Sequence, residues 1–175
     1  MSAVARSLRP STGEYASYYA QYVEQVPEGD LLAVLERQRD ETLALLAELP
    51  ADKQTHRYAA GKWSVKELVG HVLDTERVFT YRALRMARGD ATPLPGFDQD
   101  VFVAGADFDA RDWQGLLDEF QSVRASTLSL LGSLSEENLV REGRASDSPF
   151  TPRALFCVLT GHEVHHRRVL RERYL

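Results

Sequence analysis

Residues 64–89 read SVKELVGHVLDTERVFTYRALRMARG, a stretch that contains the start, body and end signals of one amphipathic helix. Ser64 and Glu67 have the spacing of a capping box, in which each side chain bonds the backbone N–H of the other residue. No proline interrupts the stretch, and Gly89 is a typical residue at a helix end. The sequence therefore predicts a long helix that begins after Ser64 and ends near Gly89.

Three more proline-free segments space their apolar side chains by three and four residues, which predicts helices. The first spans residues 30–50, with an aspartate as N-cap and a proline as its stop. The next starts near Asp109 or Asp112, and the last starts at Thr151 with Pro152 in the first helical position and runs to the C-terminus. Four helices of roughly 18–25 residues and no convincing strand predict an all-α fold, a four-helix bundle formed by one domain over residues 1–175.

Two segments lie outside the four predicted helices. Residues 1–29, approximately, form an N-terminal extension in which four tyrosines at helical spacing predict a short helix packed on the bundle: Tyr15, Tyr18, Tyr19 and Tyr22. We favour core-capping packing for these tyrosines, with a substrate wall or a dimer contact as the alternative. Residues 89–113 form a long loop between the second and third helices, and connections of this length are usually functional or ordered against another part of the domain.

Composition restricts the classes of protein to be considered. The chain has 43% hydrophobic and 27% charged residues and a net charge of −5, which is ordinary for a globular domain and unfavourable for binding nucleic acid. No apolar run approaches the ~20 residues of a membrane-spanning helix, and the first residues do not resemble a signal peptide. A lone cysteine, Cys157, fits a reducing compartment. We expect a cytoplasmic protein that binds neither membranes nor nucleic acid.

The last predicted helix contains the pattern H-E-x-x-H at residues 162–166. His162 and His166 are one turn apart on the same face, so both imidazoles can bind one cation, whereas His165 lies about 60° away around the helix. Zinc proteases share this pattern, but they commonly take a third ligand downstream. Only nine residues follow His166, none of them histidine, and no strand is available to bind a peptide. We therefore do not favour a protease.

A third ligand must come from upstream, and His71 in the second helix is the natural candidate. Its helix face carries an unusually polar stripe for a bundle: Glu67, Asp74, Thr75 and Arg82. A histidine alone on a helix is more often an ordinary core or surface residue. His71 together with the pair His162 and His166, in a fold that builds metal sites from facing helices, favours a metal site. Cys157 faces elsewhere on its helix, and we interpret it as a small buried hydrophobe.

The stretch WSVKELVGHVLDTE at residues 63–76, followed some ninety residues later by GHEVHH at residues 161–166, resembles the DinB/YfiT family of metal-dependent enzymes. The resemblance includes residues 13–32 and 94–103 and covers most of the chain. It implies a four-helix bundle in which His71, His162 and His166 bind a divalent metal at one end of a central cavity. It also implies a homodimer.

The resemblance leaves the reaction open. Some family members are similar to S-transferases that activate bacillithiol, mycothiol or glutathione, and others are regarded as hydrolases. We therefore expect a metal-dependent enzyme acting on small molecules, with transfer of a low-molecular-weight thiol ahead of amide or ester hydrolysis. A stress-associated binding protein, in which the metal only holds helices together, is the non-enzymatic alternative. Three imidazoles suit zinc or nickel first, with iron, manganese or copper also compatible.

Two carboxylates are candidates for supporting roles at this site. Asp74, near His71, could orient a ligand imidazole or accept a proton, although pairing with Arg77 on the helix surface is an equal alternative. Glu163 occupies the position of a metalloprotease base. We expect Glu163 to be either a solvated group or a group that contacts a metal ligand without binding the metal itself.

Overall fold

The protein, a computed structural model that describes residues 9–175, is built mainly from helices. The first eight residues of the predicted extension lie outside this description. The α-helices, in chain order, are α1 (Ala20–Val23), α2 (Leu31–Ala47), α3 (Val65–Ala87), α4 (Gln99–Ala106), α5 (Trp113–Ser133), α6 (Glu136–Leu139) and α7 (Pro152–Val169). Short 3-10 turns lie at Ser17–Tyr19, Ala51–Lys53 and Phe108–Ala110, and α7 continues as a π-helical turn over Leu170–Tyr174.

The capping residues predicted from the sequence begin the four long helices. The side chain of Asp30 accepts a hydrogen bond from the backbone of the first turn of α2, and Thr151 does the same for α7. Ser64 and Glu67 form the predicted capping box of α3. Of the two candidates for the start of α5, Asp112 is the N-cap, and its carboxylate accepts the Gly115 N–H at 2.8 Å. The predicted four-helix bundle is confirmed.

The four long helices are not arranged around the bundle in chain order. Helix α3 packs against α5 and α7, and α2 packs against the same two helices. Consequently α2 and α3, although consecutive along the chain, lie diagonally across the bundle. The connection over residues 48–64 is long enough for this crossing, since an extended chain advances up to ~3.3 Å per residue. This arrangement makes α3 and α7, which bear the candidate ligands, direct neighbours.

A layer of buried polar side chains separates two apolar regions of the core. One apolar cluster contains Leu35 and Phe79, and the other contains Leu46 and Phe120. On each long helix, the polar residues of the layer lie between the residues of these two clusters. We call this set the polar layer; its buried members are Gln38, Thr42, His71, Thr75, Glu76, Arg124, Thr127, Thr160, His162 and Glu163. Burial of polar groups is costly unless they are paired, so this layer is where specific contacts are needed.

Two features depart from the predicted fold. A hairpin of β1 (Gly143–Ala145) and β2 (Ser148–Phe150) occurs where no strand was predicted. Its strands are too short for a recognisable alternating pattern, and its turn places Ser146 and Asp147 at φ 50° and 58°. The connection over residues 89–113 is also more than a loop, because it contains α4, capped by Asp98. The backbone of Leu94 bonds that of Arg144 and Ser146 at 3.0 Å, so the connection is ordered against the hairpin.

The N-terminal extension lies against α7. Its predicted helix is split into a 3-10 turn and α1, and α1 packs on α7. Gly161 permits this packing, because a Cβ at that position would overlap the carbonyl oxygen of Tyr22. Within residues 9–175, no helix has both the length and the apolar character that crossing a membrane requires.

Candidate metal centre

Three histidines from α3 and α7 converge in the polar layer. The Nε2 atom of His162 lies 3.0 Å from that of His71 and 3.0 Å from that of His166. One ligand atom from each residue lies within 4.8 Å of the other two, and no other group of this kind occurs in residues 9–175. His165, one residue before His166, is not part of the cluster. The structure thus brings together the three histidines predicted from the sequence, across 91 positions of chain.

Two of the three separations between the ligand nitrogens fit a single divalent ion. Nitrogens bound at 2.0–2.1 Å are about 2.9 Å apart at a right angle and about 3.4 Å apart at the tetrahedral angle. The two observed separations of 3.0 Å fall within this range. The nitrogens of His71 and His166 are therefore each at a suitable distance from that of His162 to share an ion with it.

The histidines are also in the protonation state that metal binding requires. Burial lowers the pKa of His71 to about 4 and, with repulsion from neighbouring histidines, that of His166 to about 3. Burial, followed by repulsion from the adjacent imidazoles, holds the pKa of His162 well below its ordinary value. At neutral pH all three are uncharged, so each has a lone pair available for a metal.

Neighbouring rings fix the orientation of two ligands. The Trp63 ring lies 4.7 Å from that of His71, and the Tyr22 ring lies 5.5 Å from that of His162. A glycine precedes each of these histidines. Gly161 admits the backbone of Tyr22, and Gly70 admits the ring of Phe108, which would overlap a Cβ there. The repeated Gly-His pair therefore lets other segments pack closely beside the ligands.

A cavity of about 590 Å³ adjoins the cluster and is lined by His71 and His162. Its walls come from the extension, α3, the connection after α3, the hairpin and α7. Besides the two histidines, the lining residues are Tyr18, Tyr19, Tyr22, Thr75, Phe79, Arg82, Gly96, Phe97, Asp98, Gln99, Ser146 and Val158. No carboxylate or thiol joins the three histidines within the described chain. The three histidines would hold a metal ion without a fourth ligand from the described residues, so the ion could also bind water or a substrate.

The four tyrosines of the extension were interpreted either as core-capping residues or as a substrate wall or dimer contact, and no single interpretation fits all four. Tyr15 is buried in the core, as core-capping packing predicts. Tyr18, Tyr19 and Tyr22 line the cavity, although Tyr19 also packs on Phe150 with ring centroids 5.0 Å apart. The preferred interpretation therefore holds for Tyr15 and accounts for only part of the contacts of the other three.

Asp74 pairs with Arg77 on the helix surface, which is one of the two roles proposed for it from the sequence. Its carboxylate accepts a hydrogen bond from Arg77 at 3.4 Å, and it does not line the cavity. Burial raises the pKa of Asp74 above its usual value, against the opposing effect of Arg77. A role for Asp74 in orienting a ligand stays a prediction.

Of the two alternatives for Glu163, the solvated one is not observed, since the residue is only 2% exposed. Its carboxylate accepts hydrogen bonds from Arg124 and Thr42, both at 2.5 Å. Arg124, which is completely buried, also binds both carboxylate oxygens of Glu76 at 2.8 Å. We call Thr42, Glu76, Arg124 and Glu163 the ion-pair cluster. Solvation is excluded because the face of α7 that bears Glu163 packs into the polar layer, where its carboxylate pairs with Arg124. A role for Glu163 in supporting a metal ligand stays a prediction.

The sequence predicted the three clustered histidines, but several residues around them were not predicted. Thr75 and Arg82 belong to the polar stripe recognised on α3, and both line the cavity. Phe79 lies at the same helical spacing from His71 and could have been included. The ion-pair cluster has no comparable signal, because its partners are 39 to 121 positions apart in the sequence. Trp63 is only eight residues before His71, but it precedes the N-cap of α3, so helical spacing does not relate the two residues. Cys157 is buried as predicted, and burial raises its pKa to about 11.

Comparison with known proteins shows the family and the fold of the chain. The family model of the DinB superfamily matches residues 34–170. YfiT from Bacillus subtilis, described as a probable metal-dependent hydrolase with an unusual four-helix bundle topology, has a similar structure with a TM-score of 0.67 and 18% identity, covering 94% of this chain and 93% of that one. A DinB-like protein from the same organism, YjoA, has a TM-score of 0.57 and 24% identity, with 82% and 87% of the two chains covered. No curated protein matches the chain.

Proposed function

Since the chain belongs to the DinB superfamily, we propose that it is a divalent-metal-dependent enzyme that acts on small molecules at the cluster of His71, His162 and His166. The observation that carries the proposal is the convergence of three neutral imidazoles beside a cavity of about 590 Å³. Zinc or nickel is the first candidate metal, and iron, manganese or copper would suit the same ligands.

The chemistry that a divalent ion supplies at such a site is Lewis-acid activation of water or of a thiol at its open position. The three histidines would hold the ion through their Nε2 atoms. The tyrosines and Phe79 would exclude water and contact the apolar part of a substrate. The absence of a fourth ligand within the described residues favours this open site over a closed, purely structural one.

Two hydroxyl groups in the cavity are suited to orienting a substrate. Burial, with an added contribution from Tyr18, raises the pKa of Tyr22, so its hydroxyl is protonated and can donate a hydrogen bond at neutral pH. The buried Oγ1 atom of Thr75, one turn after His71, has no partner within the described residues. Both groups line the cavity beside the histidines.

Thiol transfer is our first candidate reaction. Cys157 is buried and does not line the cavity, so an external low-molecular-weight thiol would have to supply the sulfur. The thiol would release its proton to solvent, and its sulfur would form a bond to an electrophilic carbon in the cavity while the leaving group departs with the electron pair of the broken bond. Hydrolysis of an amide or ester is the second candidate, supported by the description of YfiT as a probable metal-dependent hydrolase.

Elemental analysis of untagged protein tests the metal site. We expect about one metal per chain in the wild type and loss of metal in His71→Ala, His162→Ala and His166→Ala. His165→Ala is the matched control, because this neighbouring histidine lies outside the cluster and should leave the metal in place. Full metal retention in all three ligand variants would contradict the proposal.

The two candidate reactions are separated by assays on the metal-loaded protein. Thiol transfer predicts consumption of an electrophile such as 1-chloro-2,4-dinitrobenzene only when a thiol is present. Hydrolysis predicts release of p-nitrophenol from an ester without any thiol. Neither activity, together with a cobalt spectrum that does not respond to thiol or azide, would instead support the structural alternative.

A further inference from the structure

Arg82 is a buried cation on the wall of the cavity, 2% exposed. Its Nη2 atom donates hydrogen bonds to the carbonyl oxygen of Pro95 at 2.7 Å and to the hydroxyl of Ser146 at 3.1 Å. The rings of Phe79 and Phe97 lie 5.5 and 5.7 Å from its central carbon. Its buried Nη1 atom has no hydrogen-bond partner within residues 9–175.

No carboxylate of the described chain pairs with Arg82. Arg124, the other deeply buried arginine of the structure described, is neutralised by both Glu76 and Glu163. The eight residues outside the description, MSAVARSL, contain no aspartate or glutamate that could serve. A water molecule can satisfy an N–H group, but it cannot compensate the charge of a buried guanidinium. Within residues 9–175, the guanidinium of Arg82 thus has aromatic neighbours but no acidic counter-ion.

The acidic residue that lines the same cavity is already engaged. Asp98 is exposed, and its Oδ1 atom accepts hydrogen bonds from the backbone N–H groups of Asp100 and Val101 at 2.9 and 3.1 Å. These bonds form the N-cap of α4. Asp98 consequently has a local structural role and forms no ion pair with Arg82.

Arg82 and His71 lie on the same side of α3. They are eleven residues apart, which corresponds to a rotation of about 20° and an axial distance of roughly 16 Å. Thr75 and Phe79 lie between them, and all four residues line the cavity. Along this wall the cavity thus offers a metal-binding end, an unpartnered hydroxyl, an aromatic ring and an unpartnered cation.

We propose that the cavity binds an elongated substrate with a carboxylate or phosphate group, which Arg82 holds while the reacting group lies at the histidines. This assignment rests on the proposed function, because it makes the anion one end of the enzyme's substrate. Arg82 acts as a binding residue that selects the substrate class. Its fork of N–H groups suits an oxyanion, and the rings of Phe79 and Phe97 fix its plane.

Calorimetric titration of the full-length protein tests the assignment with three probes of the same chain length: octanoate, octyl phosphate and octanol. Titrations are made on the protein as purified and again after chelation, since a carboxylate can also bind a metal directly. We expect at least one anion to bind roughly tenfold or more tightly than octanol in both preparations. The anion that binds more tightly identifies the group that the substrate carries.

Arg82→Gln should abolish this preference, and Arg82→Lys should retain part of it. Arg85→Gln is the control, because Arg85 lies on the same helix but pairs with Asp90 outside the cavity. Equal binding of octanol and both anions by the wild type would overturn the assignment, even if the Arg82 variants did not fold. A preference unchanged in Arg82→Gln would place the anion elsewhere and would also overturn it. The titrations on chelated protein test anion binding without a metal. They therefore remain informative even if the three histidines prove not to bind one.

Discussion

His162 and Glu163 are adjacent along α7, yet their side chains belong to different clusters of the polar layer. The Nε2 atom of His162 lies 3.0 Å from that of His71, whereas Glu163 accepts a hydrogen bond from Arg124 at 2.5 Å. Successive residues of a helix point about 100° apart, so one turn of α7 can serve both. The metal centre and the ion-pair cluster are therefore joined through the backbone of a single helix.

Removal of Arg124 should strongly destabilise the protein. Arg124→Met leaves the buried carboxylates of Glu76 and Glu163 without a counter-ion, and loss of one partner of a buried pair costs about 3–5 kcal/mol. Urea denaturation measures this change in the free energy of unfolding. Arg37→Met is the control, since Arg37 pairs with Glu41 at the surface and its loss should cost less than about 1 kcal/mol. Equal effects of the two substitutions would show that the ion-pair cluster does not stabilise the core.

Glu163→Gln distinguishes a structural from a catalytic role of Glu163. If the carboxylate serves the ion-pair cluster, the variant should lose about 1–3 kcal/mol of stability and keep its metal and most of its activity. The control is Thr42→Val, which removes the other hydrogen bond to Glu163 while leaving its charge. A variant with unchanged stability and no activity would identify Glu163 as a proton acceptor instead.

A methyl group at position 161 should displace the N-terminal extension. In Gly161→Ala the new Cβ meets the carbonyl oxygen of Tyr22, and overpacking of this kind costs about 1–3 kcal/mol. We expect a lower melting temperature and faster proteolysis within residues 9–30. Gly105→Ala is the matched helical control: no atom lies within 4 Å of the added Cβ, so this substitution should be neutral or slightly stabilising. Identical behaviour of the two variants would contradict the close packing.

Cys157 should be unreactive in the folded protein. Burial raises its pKa to about 11, so at pH 8 only about one thiol in a thousand is ionised, and that thiol is also inaccessible. Reaction with Ellman's reagent should be slow in buffer and rapid in denaturant. Cys157→Ala should retain any thiol-dependent activity, and rapid labelling of the native protein would contradict this assignment.

Tyr174 should contribute stability that disappears at alkaline pH. Its hydroxyl donates a hydrogen bond to the carbonyl oxygen of Trp63 at 2.7 Å, and burial raises its pKa to about 12. Because the folded-state pKa is raised, the contribution is present below the unfolded value near 10 and is lost as pH rises through 12. Tyr174→Phe should therefore cost about 1 kcal/mol at pH 8 and progressively less above pH 10. A difference from the wild type that does not change with pH would contradict this linkage.

Whether a feature could be predicted from the sequence depends on how far apart its interacting residues are along the chain. The N-caps at Ser64 and Thr151 and the pair His162 and His166 depend on residues within one turn, so their spacing in the sequence is sufficient. The pairing of Arg124 with Glu76 joins two helices through residues 48 positions apart, and charged side chains are rarely buried, so nothing in the sequence indicated it. The diagonal placement of α2 and α3 was equally inaccessible, because helical periodicity shows which face is buried and not which helix covers it.

The three clustered histidines and the tyrosine wall of the cavity lie in separate parts of the chain. The matched family region begins at residue 34, whereas Tyr18, Tyr19 and Tyr22 precede it. Substitutions in the extension can therefore alter this wall of the cavity without changing any of the three histidines. The same division suggests an engineering route, in which residues 9–30 of one homologue are grafted onto the bundle of another. Gly161 sets the condition for success, because the grafted backbone must fit against a helix surface that has no side chain at that point.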